Sequence, residues 1–301
     1  MPNQIPPTIS HAAASRWSRM QSKASPWLHE EVGRRMAERL AFLKLSPKHW
    51  IHWEPLRGGL GTHELVAMRY PKAKCYAIQA GADLVAMAQD ALQPRWWSAA
   101  RWSGSGIGFD VPTDPVQMLW ANMSLHMSAD PQALLARWHQ LLDVNGFLMF
   151  SCLGPDTVRQ LRQIYEKNGW PPPAHTFTDM HDWGDMLLQA GFADPVMDME
   201  RITLTFNSAE RLLLELRGVG RNLHAGRFSG LRGRQWRRDL VQSLEKSAQG
   251  GAESGEYRLD FEIVYGHAVK GMARVPVGPH STISLEAMRG ALGMNGERER
   301  R

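Results

Sequence analysis

Cysteine is scarce in this sequence: Cys75 and Cys152 are the only two among 301 residues. So few thiols exclude a small disulfide-stapled domain, and their spacing matches no metal-binding pattern. Each lies in an apolar stretch of the kind that forms a buried strand. We therefore expect two inert, buried thiols.

Long hydrophobic runs are also missing, since the most apolar stretch, 147–153, is far shorter than the roughly 20 residues that span a bilayer. The amino terminus lacks the charged start and apolar core of a secretory signal. These absences predict a cytoplasmic protein with no membrane partner. The composition, 43% apolar and 22% charged, is that of an ordinary globular chain and excludes a disordered or collagen-like protein.

Lysine is absent from the most basic part of the chain, residues 211–238, which holds eight arginines and a single acidic residue, Glu215. The net charge of this segment, +7, exceeds the +5 of the whole chain. Such a segment is either a solvated helix surface or a face for an acidic partner: a phosphate-bearing ligand, nucleic acid or an acidic protein. Nucleic acid is the least favoured of these, because no recognised nucleic-acid-binding motif accompanies the arginines.

Hydrophobic periodicity predicts an α/β protein. Apolar residues at 28, 32, 36, 40 and 43 share one face of a helix. Strands are then predicted at 49–54, 73–79, 95–102, 116–121 and 147–153. They alternate with predicted helices at 62–69, 83–91, 131–142, 156–167 and 179–190. This alternation is typical of a parallel sheet with helices on both faces.

The pattern changes after residue 190. Long strands are predicted at 196–206 and 257–269, where apolar residues alternate with polar ones. Between them the sequence predicts helices at 208–224 and 235–248, a basic loop at 225–233 and a Gly-rich turn at 249–255. Residues 207–256 thus form a helical basic insertion. A polar, Pro-rich arm (1–25), predicted to be mobile, precedes the domain, and a weakly structured tail (271–301) follows it.

The loop after the first predicted strand is rich in glycine and runs EPLRGGLGT over residues 54–62. Such a turn lets a cofactor approach the backbone and exposes the N–H groups at a helix start. Gln79 ends the next strand, where its amide can hydrogen-bond a ribose hydroxyl. From spacing alone the loop is either a cofactor site or a structural turn.

Several stretches resemble the class I S-adenosylmethionine-dependent methyltransferases, and among these the biotin-pathway malonyl-[acyl-carrier protein] O-methyltransferase family. They are WLHEEVGRRMAERL (27–40), MLWANMSLHM (118–127), the Gly-Pro-Asp-Thr turn within 133–162, LRGVGRNLHAGR (216–227) and FEIVYGHAVK (261–270). The resemblance covers about residues 25–270. It implies a methyltransferase domain over 26–270 with a Rossmann-like sheet of seven strands. Most of these strands would be parallel, with the last one antiparallel beside the fifth and the helical insertion before it.

The same resemblance implies S-adenosylmethionine as cofactor, bound over the Gly-rich loop. The residues that fall on or beside the matching positions are Glu54, Gly58, Gly59, Gly61, Gln79 and Asn122. Leu56 and Leu60 stand where the family has glycines, and Gln79 stands where it has an acid. The family's strand order also separates the two cysteines by three strands, or about 14 Å at ~4.8 Å per strand, which is too far for a disulfide.

The implied reaction is methyl transfer to the free carboxylate of malonyl on acyl carrier protein, in biotin synthesis. This nucleophile is already ionised, so catalysis depends on positioning and on exclusion of water rather than on a base. His126 is the candidate contact for the substrate carboxylate, and the alternative is a histidine of the surface or core. No metal is expected, because the spacing of His175, His181 and Asp182 fits no standard site. The alternative is a catalytically degenerate paralogue that binds a carrier or other acidic partner without turnover. Under either function, a docking face for acyl carrier protein is predicted at Arg217, Arg221, Arg227, Arg232 and Arg234.

Overall fold

The computed structural model describes residues 8–21, 24–92, 106–249 and 256–272 of the chain. Within these ranges the helices are α1 (His11–Ser18), α2 (Trp27–Arg39), α3 (Pro55–Gly58), α4 (Leu60–Arg69), α5 (Ala82–Leu92), α6 (Pro131–Leu141), α7 (Arg159–Lys167), α8 (Met180–Gln189), α9 (Ala209–Val219) and α10 (Arg234–Gln249). None of the helices in these ranges is long and apolar enough to cross a membrane.

The described strands form a single sheet of seven in the order β3-β2-β1-β4-β5-β7-β6. They are β1 (His49–Trp53), β2 (Lys74–Ile78), β3 (Ile107–Gly108), β4 (Val116–Ala121), β5 (Leu142–Leu153), β6 (Ala193–Phe206) and β7 (Tyr257–Val269). The first five strands pair in parallel, and β7 lies antiparallel between β5 and β6. The predicted Rossmann-like sheet, with its last strand beside the fifth, is confirmed.

Both cysteines are free and buried, as expected. Cys75 lies on β2 and Cys152 on β5, three strands apart in the sheet. Burial raises the pKa of both thiols well above the ordinary value, so neither is a thiolate at neutral pH.

The predicted amphipathic helix at the start of the domain is α2, and its apolar stripe belongs to the main core. Leu28, Val32 and Met36 are at most 2% exposed, and Leu40, in the short 3-10 helix that follows, is fully buried. Four side chains at this spacing lie on one face, so α2 packs flat against the sheet.

Two predicted boundaries differ from the structure by five residues. The helix predicted over 208–224 is wrong in its last third, because α9 ends at Val219 and the extended Gly220 begins a loop that bridges to the amino-terminal arm at His224. The strand predicted over 147–153 begins earlier, because β5 starts at Leu142 and includes Asn145. Asn145 adopts a left-handed φ of 64° there, and the partner strand shifts register, as at a β-bulge.

The amino-terminal arm contains α1, whose buried Ala13 and Ala14 pack on Leu223 in the loop after α9. Whether the arm moves stays a prediction, as do the predicted domain boundaries. The strand predicted at 95–102, the Gly-rich turn apart from residue 249, and the tail beyond residue 272 lie outside the described residues.

Candidate functional site

Three neighbouring strands end beside one another at the carboxyl edge of the sheet. Glu54 follows β1, Gln79 follows β2 and Asn122 follows β4. The backbone N–H of Glu54 donates to the carbonyl of Ile78, at 2.8 Å, which ties the first two ends together. The strand order reverses between β1 and β4, and a parallel sheet binds its ligand in the crevice at such a switch point.

The Gly-rich loop does not stay open at this point. Residues 55–58 form the short helix α3, after Glu54 has turned the chain with a left-handed φ of 52°. Leu56 is 3% exposed and packs on Leu84 and Ala88 of α5. An apolar side chain therefore fills the space between the loop and α5.

Asn122 is held by the protein itself. Its Nδ2 donates to the carbonyl of His29, at 2.7 Å, and to the carbonyl of Gly58, while its Oδ1 accepts from Ser151 Oγ at 2.6 Å. The residue is 1% exposed. Every polar atom of this amide is satisfied within the protein, so none is left for a ligand.

The glycines of the loop touch protein atoms rather than open space. A β-carbon on Gly58 would lie 3.2 Å from the carbonyl oxygen of Asn122, and one on Gly59 would lie 2.7 Å from Thr62 Oγ1. A β-carbon on Gly33 of α2 would collide with Thr62 and lie 2.9 Å from Asn122 Nδ2. The crevice is packed as tightly as a core.

Gln79 differs from the other predicted cofactor residues. It is 7% exposed, and neither its Oε1 nor its Nε2 has a hydrogen-bond partner. A buried amide without partners is unfavourable by about 1–3 kcal/mol, and it is the kind of group that a ligand hydroxyl would satisfy. The structure thus brings all six predicted residues to one edge, where the amide of Gln79 is buried without partners.

A separate cavity of about 110 Å³ lies at the same edge of the sheet, on the side of β4 and β5. Its walls come from the residues after β4, the turn after β5, α7, β7 and the loop that follows α9. They include His126, Leu153, His175, Phe177, Arg221 and Asn222.

The two histidines of this cavity have assignable tautomers. His126 Nδ1 accepts from the backbone N–H of Leu153 at 3.3 Å, which leaves the ring proton on Nε2. His175 Nε2 donates to the carbonyl of His126 at 2.9 Å, which leaves its buried Nδ1 as an acceptor without a partner. Burial lowers the pKa of His175 to about 4 and that of His126 well below its usual value, so both rings are neutral at pH 7.

Sequence reasoning named His126 but treated His175 only as a possible metal ligand. His175 is buried beside His126, whereas the exposed His181 bonds to Asp179 instead. Nothing in the local sequence around residue 175 indicates this pairing, since the two histidines of the cavity are separated by 49 positions.

The five arginines predicted to dock a partner lie around the loop between α9 and α10. Arg217, Arg221 and Arg234 are exposed, and Arg227 and Arg232 are half-buried. The guanidinium of Arg232 lies over the rings of Phe228 and Trp236, at 4.2 and 4.4 Å from their centroids. Among the described residues, none of the five forms an ion pair with an acid.

Comparison with known proteins identifies the family of this chain. A malonyl-[acyl-carrier protein] O-methyltransferase of Gallionella capsiferriformans is 36% identical over 265 residues, covering 84% of this chain and 87% of the relative. Its namesakes from Laribacter hongkongensis and Legionella pneumophila are 34% and 33% identical, and each covers 82% of this chain and 84% or 85% of the relative. This chain belongs to the malonyl-[acyl-carrier protein] O-methyltransferase family.

Membership of the malonyl-[acyl-carrier protein] O-methyltransferase family confirms the resemblance in the sequence. No protein-family model matches the chain. Two solved structures share its fold: a candidate methyltransferase from Bacillus halodurans, with a TM-score of 0.50 at 14% identity, and the YcgJ protein of Bacillus subtilis, with 0.50 at 10%. They cover 80% and 79% of this chain, and 99% and 98% of their own lengths are matched.

The cofactor expected for this methyltransferase family does not fit the crevice as it stands. S-adenosylmethionine would need the space in front of Gly58 and Asn122, and these two residues are in direct contact with each other. Leu56 and α2 close the remaining sides. The unpartnered amide of Gln79 matches what the ribose would require.

Proposed function

We propose that this family member transfers a methyl group from S-adenosylmethionine to the malonyl carboxylate of malonyl-acyl carrier protein, the reaction of biotin synthesis, in the cytoplasm. The observation that carries the proposal is the 36% identity to a relative of that name over 84% of the chain. The cavity beside His126 supports it, because it provides a second binding space at the same edge of the sheet.

The cavity suits a short acyl group. Its volume of about 110 Å³ corresponds to three or four water molecules at ~30 Å³ each. The Nε2–H of His126 and the guanidinium of Arg221 are donors for a carboxylate. His126 is neutral, so it would orient the ionised nucleophile rather than deprotonate it.

The arginines after α9 would dock the carrier. Exposed apolar side chains accompany them: Leu231 is fully exposed and Phe228 is 46% exposed. An acidic carrier would meet positive charge and an apolar contact on one face. Complementary potential of this kind raises the association rate more than it deepens binding, and its screening length at physiological salt is ~8 Å.

The test incubates the purified protein with S-adenosylmethionine and malonyl-acyl carrier protein and measures the methyl ester on the carrier by mass spectrometry. Charge reversal at Arg227 and Arg232 should slow carrier association, and the effect should fade as salt rises. Lys72→Glu, an exposed change between α4 and β2, is the matched control and should not slow association.

Two outcomes would redirect the proposal. A carrier that binds through the arginines but never gains a methyl ester would favour the degenerate paralogue. If double-stranded DNA bound as tightly as the carrier under the same conditions, the arginines would form a general anion-binding surface rather than a docking face for the carrier.

A further inference from the structure

The crevice at the switch point is closed by a clasp between the Gly-rich loop and the amino-terminal arm. Arg57 of α3 is 7% exposed, and its Nη2 donates to the carbonyls of Trp17, at 2.7 Å, and Met20. Its guanidinium carbon lies 4.2 Å from the centroid of the Trp17 ring. A buried cation needs such partners, and here the arm supplies these carbonyls and this ring.

A second contact closes the other side of the loop. Glu30 of α2 accepts hydrogen bonds from the backbone N–H groups of Gly61 and Thr62, at 3.2 and 3.0 Å, and from Thr62 Oγ1 at 3.2 Å. These N–H groups begin α4, where the positive end of the helix dipole favours an anion. The carboxylate of Glu30 therefore occupies the anion site that the loop would otherwise offer.

The two closing elements differ in how firmly they are held. α2 is fixed, because Val32 and Met36 are fully buried, and Arg35 and Arg39 pair with acids on β6 at 2.8 and 2.7 Å. The arm has fewer fully buried contacts, because α1 buries Ala13 and Ala14 against Leu223, with Ile9, Trp17, Met127 and Ala129 half-buried around them. Segments with so little buried apolar surface open first in local unfolding.

We infer that the cofactor crevice is self-occluded, and that S-adenosylmethionine enters only when the arm releases Arg57. This inference rests on the proposed function. Arg57 and the cofactor's sulfonium carry the same charge and need the same kind of environment, an aromatic face with carbonyl oxygens. When the arm detaches, Arg57 loses its partners and turns to solvent, and the loop that carries α3 can withdraw from Asn122 and from Glu30 of the fixed α2.

The occlusion has a measurable consequence for affinity. If the released form makes up about 1–10% of the molecules, the apparent affinity for S-adenosylmethionine falls by about 10- to 100-fold. A change that weakens the clasp should recover that factor. Trp17→Ala removes the ring over Arg57, and Arg57→Ala removes the cation itself.

Calorimetric titration of the full-length protein with S-adenosylmethionine tests the inference. Trp17→Ala and Arg57→Ala should bind about 10- to 100-fold more tightly than the wild type. Arg19→Ala, an exposed change on the same arm, should bind like the wild type. Equal titrations of the wild type and both clasp variants, whether all of them bind or none does, would overturn the inference.

Hydrogen exchange without cofactor gives a second readout that does not depend on binding. The amides of residues 57–62 should exchange faster in Trp17→Ala than in Arg19→Ala, and equal rates would also overturn the clasp. Failure of the proposed function is distinguishable, because it would show as tight cofactor binding by the clasp variants with no methyl ester on the carrier.

Discussion

The crevice at β1 and β4 and the cavity beside His126 lie at the same edge of the sheet. Protein atoms fill the crevice, whereas the cavity keeps open volume. In the crevice, Asn122, Glu30 and the loop N–H groups satisfy one another, and the space is filled. In the cavity, His175 keeps an unpartnered acceptor beside open volume. The contrast shows that one strand edge can hold both core packing and a binding space.

The largest expected effect is acid destabilisation, which both regions share. Burial lowers the pKa of His29 and His63 on the crevice side, and of His175 on the cavity side, to about 4. The unfolded chain, with histidine pKa values near ~6.5, binds more protons below that pH. Stability is therefore fully present above pH 6.5 and falls towards pH 4.

Each of these three histidines should cost about 2 kcal/mol of unfolding free energy at pH 5 relative to pH 7. Denaturant unfolding at the two pH values measures the loss. His29→Gln and His175→Gln should each reduce the loss of unfolding free energy between pH 7 and pH 5 by about 2 kcal/mol. A pH dependence that is unchanged in both variants would show that the acid loss arises elsewhere.

Filling the cavity should abolish most activity without unfolding the protein. Ala174 lines the cavity, and Ala174→Leu would take up much of its volume. Displacing the acyl group by about 1 Å costs on the order of 100-fold in rate, so kcat/KM for the malonyl carrier should fall by about that factor. Ala86→Leu, on the exposed side of α5, is the control and should retain both activity and melting temperature.

Gly33→Ala tests whether the crevice is packed as a core. The new methyl group would collide with Thr62, and overpacking of this kind destabilises by about 1–3 kcal/mol. The same change at Gly184 of α8 meets nothing closer than 3.9 Å and should stabilise by up to about 1 kcal/mol. The melting temperatures of the two variants test this expectation. Equal values would show that the residues around Gly33 move aside for the methyl group at little cost.

The smallest effect is expected outside both regions, on the docking face. Leu231 is fully exposed, so Leu231→Ala should leave the melting temperature unchanged. Loss of its contact with a carrier should weaken binding by about 1 kcal/mol, or roughly 5-fold. Leu214→Ala on α9, at a position 57% exposed, is the control for general surface apolarity. Indistinguishable carrier affinities would place the interface elsewhere.

The sheet was predictable because its signals are local and periodic. The strands β4 and β7 begin and end where the apolar patterns do, and the spacing in α2 matches its buried stripe. For the site, the sequence predicts which residues reach the edge of the sheet but not which contacts they make there. Glycines in the loop after β1 indicate an open turn, but Leu56 finds its partners in α5, about 30 positions away.

The contacts that close the crevice have no local signature. Arg57 meets carbonyls 37 and 40 positions earlier in the chain, and Glu30 caps a helix that begins 30 positions later. Tertiary packing decides whether a charged side chain ends in solvent or against a backbone carbonyl, and the spacing of residues in the sequence does not predict the outcome. The same holds for His175 and His126.

The position of β7 has a consequence for how the chain is made. Among the described strands, β6 pairs only with β7, which the ribosome delivers more than 50 residues after β6 ends. Until then the nascent chain exposes an open edge on β5 and has no template for β6, and open edges invite pairing with other chains. Translation that stops before residue 257 would leave a protein that aggregates rather than a smaller working domain.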